Sequence, residues 1–62
     1  MCETNVYIIV NGIEELYMEN VNTMRPEGEK IYMKSLFGEQ KTFEGSIQEI
    51  SLVRHKIILK KD

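Results

Sequence analysis

Residues 5–18 read NVYIIVNGIEELYM, and the fold is decided there. Val6, Ile8 and Val10 fall on one side of an extended chain and Tyr7 and Ile9 on the other, the period of two that marks a strand. Asn11-Gly12 interrupts the run. A type I′ turn requires positive φ at both central positions, which Asn and Gly tolerate best, so a hairpin is expected at this point. Ile13 to Met18 then returns, with Ile13, Glu15 and Tyr17 on one face and Glu14, Leu16 and Met18 on the other. Apolar and charged residues on both faces suggest an edge strand or a bulge.

The same pattern of short strands and turns continues downstream. Val21 to Arg25 reads as a strand stopped by Pro26-Glu27-Gly28-Glu29, and Ile31 to Leu36 as its hairpin partner. Phe37-Gly38-Glu39-Gln40 turns the chain into a short strand around Thr42 and Phe43, and Gly45 is expected to break it at a tight corner. Ser46 to Val53 and Lys56 to Lys60 form a last hairpin about Arg54-His55, with a bulge near Glu49. Ile47, Ile50, Leu52, Ile57, Ile58 and Leu59 are expected to supply much of the core. No helical stripe competes with these strands. The expectation is one all-β domain over residues 1–62, with about six short antiparallel strands bent into a small barrel, since closure removes exposed strand edges.

A chain of 62 residues buries only about 60% of its unfolded surface on folding, so its own core gives marginal stability. Small domains add disulfides, a metal or a partner subunit. The single cysteine cannot close an internal disulfide, which leaves a metal, a partner, or both. Hydrophobic content of 42% with 29% charged residues is that of a folded globular chain. The opening Met1-Cys2-Glu3-Thr4-Asn5 has no basic, apolar signal character, and no transmembrane run follows, so a reducing cytoplasmic location is expected. A net charge of −2 argues against broad charge-driven nucleic-acid binding. The last residues are locally basic, however, with Arg54, Lys56, Lys60 and Lys61.

The catalytic inventory is thin: one cysteine, one histidine, no tryptophan and scattered carboxylates, with no nucleophile, base and orienting group in a recognisable pattern. No enzyme activity is expected. Gly12, Gly28, Gly38 and Gly45 show neither phosphate-loop nor dinucleotide spacing. Cys2 stands out by position. With Met1 retained, the Met1 amine, the Cys2 amide nitrogen and the Cys2 sulfur form adjoining chelate rings; with Met1 removed, the Cys2 amine and sulfur chelate directly. Either donor set suits a square-planar N,S field, which favours Ni(II) or Cu(II). One copy supplies about half a coordination sphere, and a symmetric dimer would complete it. The plain alternative is a Cys2 that merely follows the initiator. His55 is a secondary metal candidate whose basic turn also suits a solvated side chain. Met18, Met24 and Met33 read as core fillers, and Tyr7, Tyr17, Tyr32, Phe37 and Phe43 as core or interface. If several of these aromatics lay exposed beside the C-terminal basic residues, they would form a stacking platform for single-stranded RNA. A protein-interaction adaptor with Cys2 at a contact is the third option.

Met1-Cys2, the strand Val6-Tyr7-Ile8, Leu36-Phe37-Gly38-Glu39 and Phe43-Glu44-Gly45, together with the chain length, resemble the CooT family over essentially the whole sequence. The resemblance implies a small SH3-like barrel and a nickel-binding accessory role in maturation of carbon monoxide dehydrogenase. It also implies Cys2 as the metal thiolate beside the N-terminal backbone, and a homodimer bridging one nickel. The family's domain has in addition carried the label of RNA-binding. Met-Cys openings are similar in hydrogenase-maturation chaperones of the HypC type, whose proline-rich start this chain lacks.

Overall fold

The computed structural model describes residues 3–61. Five strands follow one another: β1 Thr4–Val10, β2 Ile13–Glu27, β3 Lys30–Ser35, β4 Gln40–Ser51 and β5 Lys56–Lys61. They close into a barrel in the order β1-β2-β3-β4-β5, the architecture of a small SH3-like barrel. Each strand pairs antiparallel with the next, whereas the closing pair β1·β5 is parallel, with Asn5 opposite Lys56 and Ile9 opposite Lys60. The expected all-β barrel of short antiparallel strands is present, with five strands where about six were expected and with one parallel pair at the closure. Strands joined by hairpins alternate in direction, so the first and fifth must run the same way when they meet.

The seven segments named from the sequence become five strands because two apparent breaks, before Val21 and at Gly45, are bends within longer strands. In β2, Met18 lies opposite Val6 and Val21 opposite Thr4, so three steps on one strand match two on the other. Asn20 absorbs the extra residue at φ 54, and its N–H donates to Asn5 Oδ1 at 3.3 Å. Asn is among the few residues that tolerate this left-handed conformation. A second irregularity beside it, where Val6 faces Met18 and Tyr7 faces Leu16, leaves Tyr17 unmatched and fulfils the bulge expected in this segment. Pro26, expected in the turn, instead pairs opposite Ile31 near the end of β2. The turn itself is confined to Gly28 and Glu29.

Gly45 does not end a strand either. Residues 40–44 of β4 pair with β3 and residues 45–51 with β5, so Gly45 is the point at which the strand passes from one neighbour to the other. Its N–H donates to the Glu29 carbonyl at 2.9 Å. A Cβ here would stand 2.6 Å from Phe43 Cε2 and closer still to the Lys60 carbonyl oxygen, so only glycine lets the strands approach this nearly. At Asn11-Gly12, φ values of 51° and 79° give the expected primed hairpin.

The core gathers Val6, Met18, Val21, Ile31, Met33, Phe43 and Leu59, with Ile8, Tyr17, Met24, Ile47 and Ile57 packed around it. The methionines therefore fill space as expected. Tyr17 meets Phe43 edge-on, with centroids 5.5 Å apart at 71°, the favoured geometry for an aromatic pair. Two expected core residues are corrected. Ile50 is 53% exposed and Leu52 81% exposed. The β4 bulge between Ile47 and Glu49, expected at this place, shifts the inward frame and leaves Ile50 opposite Ile57 at the barrel mouth, with Leu52 beyond it in the turn. Ile58 is buried on the side away from the core cluster, in register between Tyr7 and Glu49.

Gly45→Ala is expected to destabilise the barrel by about 3 kcal/mol, the upper range of overpacking costs. In a domain of this size that lowers Tm by more than about 12 °C. Thermal unfolding followed by circular dichroism measures it, and a shift below about 3 °C would show that the strands can separate at this point.

Candidate functional site

Parallel closure puts the start of β1 beside the start of β5. The β4–β5 turn, which feeds β5, therefore sits at the end of the barrel where the N-terminal segment enters. The backbone makes the connection directly, because the Asn5 N–H donates to the His55 carbonyl at 3.0 Å. His55 is exposed and adopts φ 52, a left-handed conformation that the tight turn imposes on a non-glycine residue. The Arg54 N–H donates to Ser51 Oγ at 3.3 Å and fixes the other side of the turn.

Beside this turn lies an open groove of about 300 Å³, lined by Thr4, Ile50, Leu52, His55 and Ile57 among others. Its apolar rim continues into Val53, which is 91% exposed. Lys56, at the start of β5, turns away to Glu14 Oε2, and its Nζ stands 4.7 Å from the centroid of the Tyr7 ring. The metal candidates Met1 and Cys2 lie outside the described residues. The first described strand begins at Thr4, and Asn5 at its start is bonded to the His55 carbonyl. Among the described residues no three His, Cys, Asp or Glu side chains gather where they could hold a metal ion.

Among the described residues, the most exposed aromatics and the C-terminal basic side chains lie on different strands of the barrel. The exposed aromatics Tyr32 and Phe37 belong to β3 and the loop after it, while Arg54, Lys60 and Lys61 belong to β5 and its preceding turn. β4 separates the two on one side, and β2 with β1 on the other.

Phe37, expected in core or interface, is outside the core, being 82% exposed. It is held in a fastened loop: buried Ser35 accepts through Oγ from the N–H groups of Phe37 at 3.2 Å and Glu39 at 3.1 Å. The Ser35 N–H donates to the Glu39 carbonyl at 2.8 Å, and the Gly38 N–H to the Ser35 carbonyl at 3.1 Å. A serine two residues before an aromatic-glycine pair was the available signal, since Ser caps such turns with its hydroxyl.

Fold and site together define the class as a small SH3-like barrel in which His55 and an apolar groove lie beside the start of β1. The chain belongs to the CooT family, described as CO dehydrogenase accessory protein CooT, whose profile matches residues 1–60. It is thereby placed among accessory proteins with a role in carbon monoxide dehydrogenase maturation. A crystal structure assigned to CooT from Carboxydothermus hydrogenoformans superimposes with a TM-score of 0.89 at 31% identity, covering 98% of each chain. The uncharacterised protein MJ1551 of Methanocaldococcus jannaschii is 41% identical over 59 residues, 95% of this chain and 96% of that one.

His55→Gly separates the turn from the imidazole. Relief of left-handed strain and the extra freedom of the unfolded chain offset each other, so stability measured by urea denaturation should stay within about 1 kcal/mol. A loss above about 2 kcal/mol would show that the imidazole itself holds the turn.

Proposed function

We propose that this chain is a cytoplasmic nickel accessory protein for carbon monoxide dehydrogenase, binding Ni(II) as cargo through the Cys2 thiolate and N-terminal nitrogens. The observation that carries this reading is the family match, which spans the Met1-Cys2 opening. One further feature supports it: the fold brings the start of β1 and His55 to one end, where an exposed imidazole is available as an additional donor.

The chemistry follows from the donors. Ni(II) accepts a planar field of thiolate, amine and deprotonated amide nitrogen. One N-terminus supplies part of that field, and a second copy related by a two-fold axis supplies the same atoms again. Two chains then share one ion, and the ion in turn stabilises a small barrel by binding only its folded, paired state.

Nickel titration followed by thiolate-to-metal absorption, with molecular mass measured in parallel, should give one nickel per two chains. Cys2→Ala should abolish tight binding, and unchanged affinity in that variant would overturn the reading. Binding displaces protons from the thiol and from backbone nitrogen, so affinity should fall as pH falls, by about tenfold per unit for each proton released. A pH-independent affinity would contradict this donor set.

A further inference from the structure

We infer that the outward face of β2, β3 and β4 is a binding site for a free mononucleotide, with the base on Tyr32 and the phosphate held by Arg25 and Lys34. The inference goes beyond the nickel reading and does not depend on it. Strand pairing builds the face. Thr23 stands opposite Lys34 and Lys34 opposite Gln40; in the next row Arg25 stands opposite Tyr32 and Tyr32 opposite Thr42. These side chains are all exposed, while Met24, Ile31, Met33 and Phe43, which alternate with them, pack in or against the core. Residues directly opposite each other on neighbouring strands have Cβ atoms about 5 Å apart, so the two rows form one patch.

Thr23, Arg25, Tyr32, Lys34 and Gln40 line a groove of about 200 Å³ in this face, with the buried Met33 beneath it. Among the described residues no carboxylate lines it, although the chain as a whole carries a net charge of −2. Lys34 takes part in neither of the ion pairs formed among the described residues. Arg25 turns Nε to Glu27 Oε2 at 3.3 Å, a pair whose side chains are 73% and 57% exposed and which contributes little. The remaining donors of the guanidinium fork are left for a phosphate. The Thr23 hydroxyl is spent on Asn22 Oδ1 at 2.9 Å, so it shapes the wall of the groove rather than donating to a ligand.

Spacing selects the ligand. Tyr32 and Lys34 are two residues apart on β3, a rise of about 7 Å. That is the span from base to phosphate across a ribose, and a phosphate bonded directly to an aromatic ring falls short of it. Gln40, opposite Lys34, adds an amide donor for the phosphate, and Thr42, opposite Tyr32, a hydroxyl for the base. A nucleic-acid strand fits less well. Tyr32 is the one aromatic side chain in the two rows, which leaves a second base no ring to stack on. The next row, Glu27, Lys30 and Glu44, sets carboxylates where a longer phosphate backbone would continue. A second copy is disfavoured by the like charges that a two-fold contact through this face brings together.

The test is an NMR titration of the isotope-labelled full chain with AMP, with adenosine, inorganic phosphate and a short single-stranded RNA in parallel. AMP should shift the backbone signals of Thr23, Arg25, Tyr32, Lys34 and Gln40 and bind with a Kd below about 1 mM. Adenosine and phosphate each lack part of the contacts and should bind about tenfold more weakly. Tyr32→Leu should weaken AMP binding about tenfold, the loss of a base–aromatic stack, and Tyr32→Phe should restore it. Arg25→Gln and Lys34→Gln should each weaken it about tenfold, and added salt should weaken binding to the wild type. All three positions are exposed, so Tm should stay within about 4 °C of the wild type. AMP that leaves this face unshifted at millimolar concentration would overturn the inference. Equal binding of AMP and inorganic phosphate would reduce the face to an anion site and overturn the nucleotide assignment. RNA bound through the same residues without AMP binding would assign the face to a polymer and overturn it as well. Nickel affinity, measured on the same variants, should remain that of the wild type.

Discussion

The parallel pairing of β1 with β5 is the constraint on which the rest of this molecule depends. An odd number of hairpin-linked strands can close only by setting its first and last members side by side in the same direction. That closure seals Val6 and Leu59, the two most completely buried side chains, in the middle of the barrel. It also fixes the location of everything functional. The N-terminal segment and the β4–β5 turn must share one end, and the Asn5 N–H to His55 carbonyl bond is the local expression of that topology.

Two long strands make closure possible with so few residues. β2 and β4 each serve both neighbours by bending, the first at the bulges around Tyr17 and Asn20, the second at Gly45. These bends concentrate strain-tolerant residues at defined places and let seven buried apolar side chains suffice as a core. The cost is an incompletely covered barrel. Ile50, Leu52 and Val53 emerge at one end because β4 has already shifted frame below them. A core this small gains from any ligand or partner that binds only the folded state.

Much of this was legible in the residues. Asn11-Gly12 announced its hairpin, the alternation of Val6, Ile8, Ile31 and Met33 announced strands, and the irregularities near Tyr17 and Glu49 showed as breaks in alternation. What remained hidden was long-range. Gly45 and Pro26 look like chain breakers when only neighbours in sequence are considered, yet both lie within strands because their partners across the sheet accommodate them. Burial of Ile50 and Leu52 could not be judged from hydrophobicity, since the bulge before them decides which way they face. On the functional side, Cys2 and His55 were picked by position and donor chemistry, and the nearness of His55 to the start of β1 became apparent only with the topology. Of the two readings of Phe37, core or interface, its exposure removes the core, and the Ser35 hydrogen bonds that hold its loop cross the loop itself.

The barrel holds a fastened aromatic loop tied through Asn20 and Asn5 to the end where β1 begins. The proposal that nickel is held by sulfur and nitrogen from the N-terminus is tested most directly by nickel K-edge X-ray absorption on the loaded wild-type protein. A planar first shell of nitrogen and sulfur, with the sulfur contribution lost in Cys2→Ala, is the predicted result. A six-coordinate shell of oxygen and nitrogen without sulfur would contradict it.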